Sequence, residues 1–216
     1  TQTHPAQMSK MDGVDNEDIA ISTRIFTRAG CQNIVRDAFE YAKKFGYKTV
    51  TVVEKPNVVR ETSGLMVREA RKIAKDYPGI ELWETNIDAM CMWLVKNPED
   101  YGVLVASNMF GDIVSDLCAQ LVGGLGFACS GNIGKEVAVF EPSHGSAPKY
   151  VGMNKVNPIA MILSAKMMLD YLGEMDMGKK LEDAVAAVIA EGEHRTYDMG
   201  GSTTTTGMAE AIAAKL

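Results

Sequence analysis

The hydrophobic period of this chain switches repeatedly between about 3.6 and 2 residues, and that alternation limits what it can fold into more than any other feature. A helical period in CQNIVRDAFEYAKKF (31–45) gives way to the β-rich run KTVTVVE (48–54). Helix returns in RETSGLMVREARKIAKDY (60–77), followed by a strand at IELWET (80–85), a helix at DAMCMWLVKN (88–97) and a strand at GVLVAS (102–107). Such β/α alternation predicts a parallel sheet with helices on its faces, because parallel neighbours need a long crossover and a helix supplies one. After Asp112 the helix is predicted to reach about Val122 and to end in GGLG, whose glycines suit a C-cap and a tight return. The next apolar run is VAVFE (137–141), then two long helices over Pro158 to Leu172 and Asp176 to Ala190, and a short one near Met208 to Ala214. Residues 1–18 are polar, with Pro5 and Gly13 as breakers, and read as a tail or loop. Regular structure is expected to start at IAISTRIFT, giving one α/β region over 19–216.

Composition excludes several partners. Net charge is -6 across 216 residues, with no Lys/Arg run long enough to track a phosphate backbone, so nucleic acid is not an expected partner. No stretch has the apolar length of a membrane span, and TQTHPAQMSK has no apolar run behind its few charges. Cys31, Cys91, Cys118 and Cys129 form no CxxC pair and sit among apolar neighbours, which reads as reduced core thiols in a reducing compartment. Met90, Met92, Met161, Met167 and Met168 fall in predicted helices and read as core in preference to a subunit interface.

The stretch NMFGDIVSD (108–116) carries the chemistry most worth explaining. Asp112 and Asp116 are four positions apart, so a helix puts them on one face about 5 to 6 Å apart at Cβ, where like charges repel unless a cation lies between them. A solvated face is the plain alternative, but VLVASNMFGDIVSDLCAQLV is too apolar to be expected on a surface helix. Asp88 follows the strand IELWETN, where an N-cap would also account for it. Three carboxylates with no soft ligand nearby suit a hard cation such as Mg²⁺ or Mn²⁺. His4 and His194 have no partner spacing, which disfavours zinc. Lys55 ends a strand at the edge where open α/β sheets keep their ligands, although a strand-end lysine is often just a solvated charge. GGLGFACSGNIG invites a dinucleotide reading, yet Cys129 stands where the third glycine of GxGxxG belongs. His144, in FEPSHGSAPKY, lies in a loop that can present its imidazole and backbone N–H groups to a ligand.

Taken together, VEKPNVVRETSGLM, NIDAMCMWLVKNPEDY, NMFGDIVSDLCAQLVGGLGFACSGNIG and VFEPSHGSAPKYVGMNKVNPIAMILSAKMML resemble, in order and spacing, the β-decarboxylating dehydrogenases of the isocitrate and isopropylmalate type. The resemblance implies a two-lobed, non-Rossmann α/β fold with a mixed sheet flanked by helices. It implies oxidation of a 2-hydroxy di- or tricarboxylate with a nicotinamide cofactor and Mg²⁺ or Mn²⁺. Asp112 and Asp116 look like the two metal acids of one subunit, and Asp88 like a third that reaches in from the partner of a homodimer. The cation between them chelates the substrate hydroxyl and its adjacent carboxylate. Lys55 resembles the catalytic lysine, also supplied across the dimer, and Asn57 the side chain between substrate and nicotinamide.

For the cofactor, the resemblance places His144, Gly145, Ser146, Ala147 and Pro148 on the adenosine and phosphate side, Glu141 near the nicotinamide ribose and Asn157 near the adenine. Lys149 and Tyr150 stand where NAD-using members carry an acid for the ribose hydroxyls. With Tyr197 in RTYDMGG they resemble NADP-using isocitrate enzymes, although Gly201 replaces an arginine common in those. NADP is favoured over NAD, and isocitrate over isopropylmalate, homoisocitrate or tartrate. A non-catalytic, nucleotide-binding regulatory subunit is the remaining reading. The family's GDGIGPE opening, its arginine clamp for the substrate carboxylates and its proton-donating tyrosine are missing from this sequence. The resemblance therefore implies the C-terminal part of a longer enzyme, or one half completed by a second chain, in the cytoplasm or a mitochondrial matrix.

Overall fold

Thr49–Glu54 (β1) is buried from its second residue to its last, as a strand with packed layers on both faces must be. It is the centre of a three-stranded parallel sheet, flanked by Glu81–Asn86 (β2) and Val103–Ala106 (β3) in the order β2-β1-β3. The register aligns Thr49 with Glu81 through Glu54 with Asn86 on one side, and Val50 with Val103 through Val53 with Ala106 on the other. All three strands therefore end at one carboxyl edge, where the turns carrying Lys55, Asp88 and Ser107 emerge.

The computed structural model describes residues 22–216, so the expected tail over 1–18 lies outside the described residues. The chain divides into two compact units, Thr1–Val114 and Ser115–Leu216. In the first, Arg28–Phe45 (α1) begins at Thr27, whose Oγ1 accepts the Gly30 N–H at 3.1 Å. It ends at Gly46 in the left-handed region, with Lys43 and Lys44 in the last turn complementing the helix dipole. Its stripe Cys31, Val35, Ala38, Phe39 and Ala42 packs with Met66, Val67, Ala70 and Ile73 of Arg60–Ile73 (α2) onto Val50 and Val52 of β1. Each large apolar side chain buried there contributes roughly 1.5–3 kcal/mol. Ile87–Lys96 (α3) follows β2 without a linker and buries Met90 and Leu94.

Asn108–Leu121 (α4) contains the boundary between the units. In the second unit, Cys129–Ile133 (β4) and Ala138–Pro142 (β5) pair antiparallel. Ile159–Leu172 (α5) and Met175–Glu191 (α6) follow, and Thr205–Ala213 (α7) closes the chain, capped by Thr204, which accepts from Gly207 N–H. Ile159, Ala184, Val185, Val188, Met208 and Ile212 form the core. The α/β class and the helices flanking a small parallel sheet agree with the sequence, the parallel and antiparallel pairings lying in separate sheets among the described residues.

Five expectations need correction. Residues 22–27 form only an isolated bridge at Thr23, and regular structure starts at Arg28, because Thr27 is spent as a helix cap. Residues 129–133 are a strand that periodicity did not show. Helix α4 is not buried: Phe110, Val114 and Ala119 are, but Met109, Ile113 and Leu121 are exposed. None of the four cysteines is in a disulfide, yet only Cys31 is core, the others being half-buried. Of the five methionines only Met90 is fully buried, whereas Met92, Met161 and Met168 lie on outward helix faces. No helix among the described residues is long and apolar enough to cross a membrane.

Candidate functional site

Two groups of candidate residues emerge, one in each unit. In the first, β1 is followed at once by Lys55, whose carbonyl accepts the N–H groups of Val58 at 3.1 Å and Val59 at 2.8 Å, folding KPNVV into a turn that leaves Asn57 exposed. The Lys55 Nζ donates to Asp88 Oδ1. Asp88 stands in the first turn of α3, where a carboxylate also complements the helix dipole. Its side chain is 68% exposed, and the Lys55 ammonium holds its pKa below the usual carboxylate value.

Asp112 and Asp116 are both exposed and one turn apart on α4, as the spacing predicted. Two hard oxygen donors on one helical face fit a divalent cation. Among the described residues, however, no three His, Cys, Asp or Glu side chains gather in one place. The chain brings Asp88 to Lys55 and does not gather the three acids into one set.

The second group lines a cavity of about 710 Å³, within the range of small-molecule and cofactor sites. His144, Gly145, Ser146, Ala147, Asn157 and Tyr197 all line it. Asn157 is 5% exposed, and its orientation is fixed at both ends: Oδ1 accepts the Ile159 N–H and Nδ2 donates to Asp198 Oδ2, each at 3.0 Å. Ala147 holds the left-handed conformation, φ 44° and ψ 58°, which costs a non-glycine residue on the order of 1–2 kcal/mol and persists only where the surroundings impose it. It turns the chain from the loop into the short 3₁₀ helix Pro148–Tyr150. His144 Nδ1 lies 2.9 Å from the Gly145 carbonyl, to which a protonated Nδ1 donates.

Beside the cavity, Tyr150 and Tyr197 have ring centroids 5.5 Å apart. Lys149 Nζ lies 4.9 Å from the Tyr150 centroid, and Lys155 Nζ lies 4.9 Å from Tyr197 and 5.6 Å from Tyr150. A hydrogen bond with Tyr197, then Lys149 and Lys155, hold the Tyr150 phenol below its usual pKa, while burial pushes Tyr197 up. Neither lysine makes an ion pair among the described residues, and with Asp198 near Tyr197 as the acid at hand the two ammonium groups leave the cluster positive on balance. At Gly201, a Cβ would lie 2.3 Å from the Arg195 carbonyl oxygen, so this backbone has no room for any side chain there.

Glu141 is not among the cavity lining; it lies on β5 and accepts from Asn132 Nδ2 at 2.9 Å. The sequence reading missed Lys155, Gly126 and Asp198. A Cβ at Gly126 would come within 2.5 Å of Asp198 Oδ2 and 3.0 Å of Asn157 Nδ2, so this glycine is a wall of the cavity as well as part of a helix-ending turn. The available signal for Lys155 was its position six residues after Lys149, on the far side of a turn.

Comparison with known proteins identifies the lineage. The family model described as isocitrate/isopropylmalate dehydrogenase matches residues 3–212. A 3-isopropylmalate dehydrogenase from Archaeoglobus fulgidus is 47% identical over 92% of this chain and 61% of its own length. A probable isocitrate dehydrogenase [NAD] subunit alpha, mitochondrial, from Caenorhabditis elegans is 42% identical over 94% of this chain and 58% of its own. The chain thus spans about three-fifths of the curated relatives it matches. The crystal structure of isocitrate dehydrogenase from Methylococcus capsulatus superposes with a TM-score of 0.87 at 44% identity, covering 91% of this chain and 58% of that one. On the family model and these relatives, the chain belongs to the isocitrate/isopropylmalate dehydrogenase family.

Proposed function

We propose that this chain contributes the cofactor pocket and the metal and lysine groups of an NADP-dependent isocitrate dehydrogenase, which converts isocitrate to 2-oxoglutarate and CO₂. The observation that carries the cofactor choice is the cluster of Lys149, Lys155, Tyr150 and Tyr197 beside the cavity, two phenols with two ammonium groups that make no ion pair among the described residues. A 2′-phosphate is the dianion such a cluster suits, and an unphosphorylated ribose would leave it unpaired. Gly201 cannot supply a cation, and Lys155 stands in for it. That relatives include proteins named as NAD enzymes makes this a distinguishing claim about this chain.

Asp112 and Asp116, with Asp88, would hold Mg²⁺ or Mn²⁺. When bound, such an ion supplies Lewis-acid polarisation of the substrate's hydroxyl and adjacent carboxylate. Lys55, as the neutral amine, would take the proton of the substrate hydroxyl and would return a proton to the enolate after CO₂ departs, the nicotinamide supplying the hydride acceptor when bound. Asn57, exposed on the turn after Lys55, orients substrate against the nicotinamide. Lys55 and Asp88 travel as a pair, and the described residues gather no third acid with them. This favours a site shared between two copies, one giving Lys55 and Asp88 and the other Asp112 and Asp116. Exposed Met92 and Val95 on α3, and Met109 and Ile113 on α4, are apolar surface for such a homodimer to cover.

Isopropylmalate is the second substrate reading, favoured by the 47% identity to an isopropylmalate enzyme; homoisocitrate and tartrate are further members of the same panel. Thermal unfolding separates these readings, since a ligand that binds only the folded state stabilises it by RT ln(1 + [L]/Kd). The expected result is a larger shift with NADP than with NAD, and a further shift with Mn²⁺ plus isocitrate but not with Mn²⁺ plus isopropylmalate, homoisocitrate or tartrate. Equal shifts for the two dinucleotides would sink the NADP assignment, and a greater shift with another hydroxy acid would replace isocitrate.

A further inference from the structure

We propose that Glu54 is a positioning residue, whose buried carboxyl group ties the backbone of Lys55 to the start of helix α4, which carries Asp112. Glu54 is the last residue of β1 and is 1% exposed, an unusual place for an acid. Its Oε1 accepts the backbone N–H of Ser107 at 2.9 Å, and its Oε2 accepts the Ser63 hydroxyl at 2.5 Å. The same Ser63 oxygen accepts the Lys55 N–H at 3.3 Å. One hydroxyl and one carboxyl group therefore join three segments at the carboxyl edge of the sheet: the turn bearing Lys55, the first turn of α2 and the junction before α4.

Two further observations favour positioning over simple filling of the core. Ser107 immediately precedes α4, where a serine hydroxyl ordinarily caps the helix. Its Oγ is buried without a hydrogen-bond partner, so the described structure holds this residue by its amide through Glu54 instead. Lys55 follows Glu54 directly, just past the end of β1, and its amide donates to the same Ser63 oxygen that donates to Glu54, so Glu54 acts on Lys55 through Ser63 and the main chain. The Glu54 carboxyl group also lies close enough to Cys31 to raise that thiol's pKa, after burial itself. An apolar residue here would pack the sheet equally well but would leave the Ser107 amide and the Ser63 hydroxyl without their acceptor. Catalytic geometry is sensitive to displacements of about 1 Å, which is the scale on which such a tie acts.

The proposal rests on the reading of Lys55 and Asp112 as catalytic machinery, and the test separates the two. Glu54→Ala, Glu54→Gln and Lys55→Ala are compared in the assembled active enzyme by steady-state kinetics, with the NADP-induced thermal shift as the check on folding. The expectation is that Glu54→Ala lowers kcat about thirtyfold while KM for NADP stays within about twofold. Glu54→Gln keeps the shape and an acceptor for Ser107 but cannot serve both partners as the carboxyl group does, and should restore about half of that loss on a logarithmic scale, leaving kcat about fivefold down. Backbone amide exchange at Ser107 and Lys55, read in this chain without turnover, should quicken in Glu54→Ala. Loss of turnover in Lys55→Ala with turnover kept in Glu54→Ala overturns the proposal alone. Turnover kept in Lys55→Ala overturns the catalytic reading and this proposal with it. Equal changes in kcat and in KM for NADP, or unchanged exchange at Ser107, would reduce Glu54 to a core residue. Should Glu54→Ala not fold, Glu54→Gln alone decides, with a loss in kcat of less than about twofold overturning the proposal.

Discussion

The two candidate regions are built on opposite plans. The strand-edge group of the first unit is made of charged side chains, a half-buried Lys55 with the exposed Asp88 and Asp112, Lys55 and Asp88 neutralising one another where they meet. The cavity of the second unit is made largely of backbone, a loop of small residues around Ala147 and a glycine wall at Gly126, with polar side chains pinned by their neighbours. The cavity has its shape in one chain, whereas the strand-edge acids have their chemistry but no common centre. Backbone-built sites are determined locally by turns and glycines. Sites built from exposed charged side chains depend on whatever else brings opposite charge to them.

The largest effect expected on either side of this comparison comes from Asp112→Asn. On the proposed role of Asp112 in holding the metal, this change should cost about 100-fold or more in metal-dependent turnover while NADP affinity in the second unit is kept. Coupled loss of both would show that the two groups are not independent. Next, Lys149→Ala combined with Lys155→Ala should weaken NADP by roughly 10- to 100-fold, the equivalent of charge-assisted hydrogen bonds at about 1.5–3 kcal/mol, with NAD unaffected in a titration. Gly126→Ala tests the backbone plan. The new methyl meets Asp198 and Asn157, and dinucleotide affinity should drop about tenfold while Mn²⁺ affinity does not change.

The smallest effect is on stability against acid. Glu69 is buried on α2, and Lys72, then Gln32, hold its carboxyl below the usual pKa. A depressed carboxyl contributes stability that is present above its unfolded value and is lost as pH falls through the folded one. Glu69→Gln should therefore flatten the acid limb of the unfolding midpoint, seen by circular dichroism against pH, leaving dinucleotide binding in the second unit untouched.

Much of the fold was legible because period and composition agreed. TVTVVE is rich in β-branched residues on both faces and became the central strand, and the helices over 28–45, 60–73 and 159–172 lie within about four residues of their predicted ends, the usual uncertainty of such boundaries. CSGNI was not legible as a strand. Ser130, Gly131 and Asn132 carry no strand propensity, and only pairing with β5 makes them one. Apolar character over 103–122 was read correctly as composition and wrongly as burial, because a sequence shows that a helix face is apolar and not which surface covers it. Six of the residues expected on the cofactor side share one cavity: five come from the single stretch 144–157, and only Tyr197 is brought in from a motif farther along the chain. Lys155 escaped notice because its role depends on two rings brought beside it by a turn, and Glu54 because a strand-ending acid ordinarily points to solvent.

The backbone at Ala147 sets stability against shape. A left-handed alanine is disfavoured by its own methyl group, and glycine would relieve that at the cost of a floppier loop. A selection that rewarded only resistance to heat should therefore accept Ala147→Gly readily, gaining up to about 1 kcal/mol, while one that rewarded dinucleotide capture should reject it. One methyl group at this turn would then report which demand the rest of the loop has been shaped to meet.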